Sequence, residues 1–205
     1  MATTQLTTSD GHRLAADVVV PDGATTAVVV CHPHPQYGGN RFNPVVDAVY
    51  TRAIHAGLAT IRFDFRTDRS SGGGGGDGGG GGGGAEPLDV IAALDEIGTL
   101  APGPYAVVGY SFGAAIALLT DDDRIAALAA IAPPLAMTTP SPPRVPTLVL
   151  APRHDQFTTV DAASGIVAGW STATLEVVES ADHFLSGQTH AVADRVVSWI
   201  TTTLA

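Results

Sequence analysis

A chain of 205 residues, 45% of them hydrophobic, fills one core and is too short for two ordinary domains, so residues 1–205 read as a single domain. The formal net charge of −10, with arginine at all ten cationic positions and lysine at none, argues against nucleic acid; it also removes Schiff-base, P-loop and Ser–Lys mechanisms. The first ten residues hold neither a basic nor an apolar signal region, no apolar run approaches a membrane span, and the one cysteine, Cys31, ends an apolar run. A cytoplasmic protein with no membrane attachment is expected.

In chain order, residues 5–8 and 14–20 flank Ser9-Asp10-Gly11, which reads as a hairpin turn. Apolar strands are then predicted at 26–31, 59–63, 105–109, 126–131, 147–151 and 174–178. Helices are predicted between and after them at 44–56, 87–97, 112–120, 160–169 and 189–204. This alternation predicts a mostly parallel sheet covered by helices on both faces, with functional residues at the carboxyl ends of its strands. Residues 72–84 are glycine except at Asp77 and predict a surface loop beside the site rim, where a gating role stays open. Asp121-Asp122-Asp123 reads as a solvated turn. Only residues 132–146, rich in Pro, Thr and Ser, separate two predicted strands, too few to build a helical cap.

Gly109-Tyr110-Ser111-Phe112-Gly113 joins a strand to a helix, and a serine between two glycines on such a turn has its hydroxyl lifted out of the fold. A serine hydroxyl needs a base, and the base needs a carboxylate to orient it. Asp155 follows one later strand and His183 the next, in the order Ser, Asp, His; Asp182 and His154 are their rival neighbours. Charge developing on a substrate carbonyl oxygen calls for two N–H donors. Phe112 supplies one, and His34 is the nearest donor in the loop after the first parallel strand, because Pro33 and Pro35 have none. A rival reading takes His32 and His34 as metal ligands, but no third ligand cluster lies near and no metal is expected. Gln36, Tyr37 and Arg41 are substrate-binding candidates, with Asn40 and Met137 as further wall residues.

Cys31-His32-Pro33-His34-Pro35-Gln36-Tyr37-Gly38-Gly39, Arg62-Phe63-Asp64-Phe65-Arg66, the Ser111 turn, His154-Asp155 and Asp182-His183-Phe184 together resemble the small, lidless bacterial α/β-hydrolases related to the dienelactone hydrolases. The resemblance covers about residues 10 to 200 and, since the dienelactone hydrolases carry cysteine where this chain has Ser111, is closer to their esterase-like relatives. It implies an α/β-hydrolase fold with an eight-stranded sheet, no cap domain, a Ser111–Asp155–His183 triad and an oxyanion site from His34 and Phe112. The expected activity is hydrolysis of small carboxylic esters through an acyl-enzyme, without a cofactor. The alternatives are lactone, thioester or peptide hydrolysis on the same triad, or a non-catalytic small-molecule binder. The expected partner is a small ester-like molecule, and the chain is expected as a monomer or homodimer.

Overall fold

The computed structural model describes residues 2–67, 84–138 and 140–205; apart from Gly84, the glycine run lies outside these residues. Eight strands are described: β1 (Ala2–Thr7), β2 (Arg13–Val19), β3 (Ala27–Cys31), β4 (Ala59–Phe63), β5 (Tyr105–Tyr110), β6 (Ile125–Ile131), β7 (Thr147–His154) and β8 (Ala173–Asp182). They form a sheet in the order β1-β2-β4-β3-β5-β6-β7-β8. β1–β2 and β2–β4 pair antiparallel, and every later pairing is parallel. The predicted hairpin joins β1 to β2, with Gly11 at φ 90°, a conformation glycine adopts without steric cost.

Helices α1 (Pro44–His55) and α5 (Thr189–Thr203) cover one face, and α2 (Pro87–Leu100), α3 (Phe112–Leu119) and α4 (Val160–Val167) cover the other. Both faces of the central strands are therefore dry. Along β3, Ala27, Val29 and Cys31 join the cluster that includes α2 and α3, while Val28 and Val30 join that of α1 and α5. Such a strand reads as an unbroken apolar run, and each fully buried Leu or Ile in these layers contributes about 1.5–3 kcal/mol. α1 begins where Asn43 accepts the Val45 N–H at 3.0 Å, with Pro44 in the first helical position.

β5 runs one residue past its predicted end, and two strands run several residues past theirs. β7 extends from 151 to His154 and β8 from 178 to Asp182, because a register shift between Pro152 and His154 lets pairing resume at His154↔Asp182. A proline without an N–H looks like a strand end in the sequence, but here it marks an irregularity within one. Arg153 fastens the extension to Glu179 through two hydrogen bonds of 2.8 and 2.6 Å. Asp155 and His183 become the first residues beyond two paired strand ends.

From the end of β6 at Ile131 to the start of β7 at Thr147, no helix is described. The molecule has the α/β-hydrolase fold, and among the described residues there is no lid over the strands' carboxyl ends. None of the described helices is long and apolar enough to cross a membrane.

Candidate active site

Ser111 sits between β5 and α3 at φ 53° and ψ −116°. A residue with a side chain is strained there by about 1–3 kcal/mol, so its surroundings must hold it in place. They do so through the backbone. The Ser111 N–H donates to the Ile131 carbonyl at 2.9 Å, and the Ser111 carbonyl accepts from Ala114 and Ala115 at 2.9 and 3.1 Å. The flanking glycines are required by contact: a Cβ on Gly109 would stand 2.2 Å from the Gly113 carbonyl oxygen, and one on Gly113 would stand 2.5 Å from that of Cys31. The second contact seats the first turn of α3 on the end of β3, from which the His34 loop departs.

Ser111 Oγ lies 2.9 Å from His183 Nε2, and His183 Nδ1 lies 2.8 Å from Asp155 Oδ2. Asp155 and His183 are 6% and 5% exposed, which shields their contact from water. The second carboxylate oxygen of Asp155 accepts the N–H groups of Phe157 and Thr158 at 2.7 and 3.2 Å, which fixes the plane the imidazole meets. His154 and Asp182 each lie one residue back along the paired strands, and both are exposed, as the pleat requires of alternate positions. The fold thus brings Ser111, Asp155 and His183 together and leaves the two rivals outside.

His34 and Phe112 are neighbours, their rings 4.6 Å apart at the centroids. Neither backbone N–H has a protein acceptor among the described residues. The loop bearing His34 doubles back through Gly38, at φ 83°, and Gly39, whose added Cβ would lie 2.0 Å from the Pro33 carbonyl oxygen. His34 Nδ1 accepts the Gln36 N–H at 3.1 Å, so its remaining proton sits on Nε2, and burial pushes its pKa below the ordinary imidazole value.

His32 serves this loop in another way. Its Nε2 accepts the Phe65 N–H at 2.9 Å, which leaves Nδ1–H to donate to the Pro33 carbonyl at 2.5 Å. Burial pushes its pKa down, in keeping with a neutral ring. Both nitrogens are occupied by backbone, so the ring braces the loop and presents no lone pair to a metal. Burial likewise pushes the Cys31 thiol up, leaving it inert in the core.

Gln36 and Tyr37 are exposed on a single 3-10 turn, Pro35–Tyr37. Arg41 is differently placed: it pairs with Asp64 through its backbone and guanidinium, and with Asp17 at 3.2 Å. These bonds tie the loop to β2 and to the residue after β4. Asn40 closes a local turn by donating to the Gly38 carbonyl, and Met137 is exposed.

Three contributors escape a reading of the residues alone. Tyr110 donates its hydroxyl to the His183 carbonyl at 2.9 Å, and burial raises the phenol to about 12, so it remains a donor. Phe157 and Phe184 place their rings 4.5 and 5.8 Å from that of His183. Tyr110 and Phe184 had a signal, their places directly before the serine and directly after the histidine; Phe157 had none.

The family model of the X-Pro dipeptidyl-peptidases (S15 family) matches residues 10–200. The chain belongs to this family. This S15-family protein is 29% identical over 192 residues to an uncharacterized protein of Rickettsia prowazekii (strain Madrid E), across 85% of this chain and 78% of the relative. A protein of unknown function from Agrobacterium tumefaciens with the α/β-hydrolase fold superposes at a TM-score of 0.81 with 25% identity, over 98% of this chain and 95% of its own. An α/β serine hydrolase homologue from Coxiella burnetii superposes at 0.79 with 26% identity, over 96% of each chain. Family membership and the Ser111–His183 hydrogen bond together make the S15-family chain a small α/β serine hydrolase.

Proposed function

We propose that this serine hydrolase, as a single domain, cleaves small carboxylic esters through an acyl-enzyme. The observation that carries the reading is the chain from Ser111 Oγ to His183 Nε2 at 2.9 Å and from His183 Nδ1 to Asp155 at 2.8 Å. Ser111 Oγ attacks the ester carbonyl carbon while its proton passes to His183 Nε2. The carbonyl oxygen takes up the negative charge and meets the N–H groups of His34 and Phe112. Collapse of the intermediate breaks the carbon–oxygen bond to the alcohol, which leaves with the proton from His183. Water, activated by the same ring, then releases the acid and restores Ser111. Asp155 holds the imidazole with Nδ1 protonated throughout. No step calls on a cofactor. The rim, which carries no lid among the described residues, favours short acyl chains, with Gln36, Tyr37 and Arg41 as wall residues; the ion pairs of Arg41 with Asp17 and Asp64 also support a part for it in holding the loop.

The family's description favours a second reading, removal of an X-Pro dipeptide by the same triad. Purified protein assayed against 4-nitrophenyl acetate, a butyrolactone, an acyl thioester and Gly-Pro-4-nitroanilide separates the two. The ester is expected to be turned over by wild type and not by Ser111→Ala. Turnover of the anilide by a protein inert to the ester would replace the esterase reading with the peptidase one.

A further inference from the structure

We infer that Phe157 and Phe184 form a clasp for the leaving alcohol, giving the enzyme a preference for esters whose alcohol carries an apolar ring. The inference rests on the esterase reading and extends it to one side of the substrate. Phe157 stands edge-on to the His183 ring at 4.5 Å and 63°, and Phe184 at 5.8 Å and 89°. Both remain substantially open to solvent, 46% and 60% exposed, although His183 between them is buried. Large aromatic rings left open at a site retain apolar surface that a ligand can cover.

The chemistry decides which part of the substrate meets them. In acyl transfer, the proton taken from Ser111 must be returned to the departing oxygen, which has to come within hydrogen-bond distance of His183 Nε2. The carbon attached to that oxygen is then held beside the imidazole, within reach of rings whose centres lie 4.5 and 5.8 Å from its own. The acyl oxygen is drawn instead toward the His34 and Phe112 N–H groups on the loop after β3 and the start of α3. Alcohol and acyl oxygen are thus assigned to different walls, and the aromatic wall belongs to the alcohol. Both residues are pinned through their backbone: the Phe157 N–H donates to Asp155 Oδ1 at 2.7 Å, and the Phe184 N–H donates to Asp182 Oδ1 at 3.0 Å.

Benzyl acetate and ethyl acetate test this, because they share an acyl group and their alcohols are of similar acidity. Wild type is expected to show a higher kcat/KM for the benzyl ester. In Phe157→Ala and Phe184→Ala, the benzyl-to-ethyl ratio is expected to fall, by about five- to tenfold in the double variant, as the lost ring contact predicts. Phe157→Leu and Phe184→Leu keep apolar bulk and are expected to restore part of the ratio. A wild-type ratio near one, or a ratio unmoved by either truncation, overturns the clasp while leaving the esterase reading intact. Failure of wild type to cleave either ester overturns both.

Discussion

At the scale of single residues, the site depends on groups that hold other groups still. Tyr110 is one. Its hydroxyl ends on the carbonyl of His183, so it fixes the main chain that carries the proposed base. A positioning role predicts that Tyr110→Phe lowers kcat by about tenfold, the scale of one hydrogen bond of about 1–1.5 kcal/mol, with KM nearly unchanged. An equal loss spread over KM, or none at all, would return Tyr110 to an ordinary core residue. His32 is read in the same way: two histidines separated by one proline look like a ligand pair in the sequence, yet His32 braces a loop through both ring nitrogens, and His34 is proposed to supply a backbone N–H. Residue type and spacing carry no information on which atoms of a histidine are already occupied, and only the fold shows that both His32 nitrogens face backbone.

At the scale of elements, strand and helix positions were legible because buried parallel strands and their covering helices leave strong, distinct apolar patterns. The elbow was legible for a related reason, since the close approaches at Gly109 and Gly113 admit no side chain. What was not legible is how far β7 and β8 continue beyond Pro152, because pairing across an irregularity is set by a partner distant in sequence. The same holds for the ion pairs around the segment after β4. Arg66 forms two hydrogen bonds with Asp10, in the β1–β2 turn, at 2.6 and 3.1 Å, and two with buried Asp89, at the start of α2, at 2.8 and 2.6 Å. The Arg66 N–H reaches Asp89 as well, at 3.0 Å, so the described residues flanking 68–83 are held together. Hydrogen bonds from Arg66 and then Thr8 hold the Asp10 carboxyl well below the usual carboxylate range, against a smaller opposing effect of burial. For a carboxyl depressed in the fold, the stabilisation is complete above the unfolded value, about 3.9, and is lost as pH falls through the folded one. Asp10→Asn is therefore expected to lower Tm at neutral pH, and the gap to wild type to close as pH falls below about 4. A gap that does not change with pH would mean that the Asp10 charge contributes nothing.

At the scale of the whole molecule, the short β6–β7 connection builds no lid among the described residues and leaves Ser111, Asp155 and His183 at an open rim. Substrate choice then falls to the few side chains around Ser111, which is why neither the family match nor the fold decides between ester and peptide. The central claim is that Ser111 is a nucleophile activated by His183 and Asp155. Intact-protein mass spectrometry after treatment with a fluorophosphonate, followed by peptide mapping, tests it most directly. One adduct per chain, on Ser111, with complete loss of ester turnover and no adduct in His183→Ala, is the result predicted. Full turnover by an unmodified chain in the presence of the reagent, or an inactivating adduct on any other serine, would contradict it.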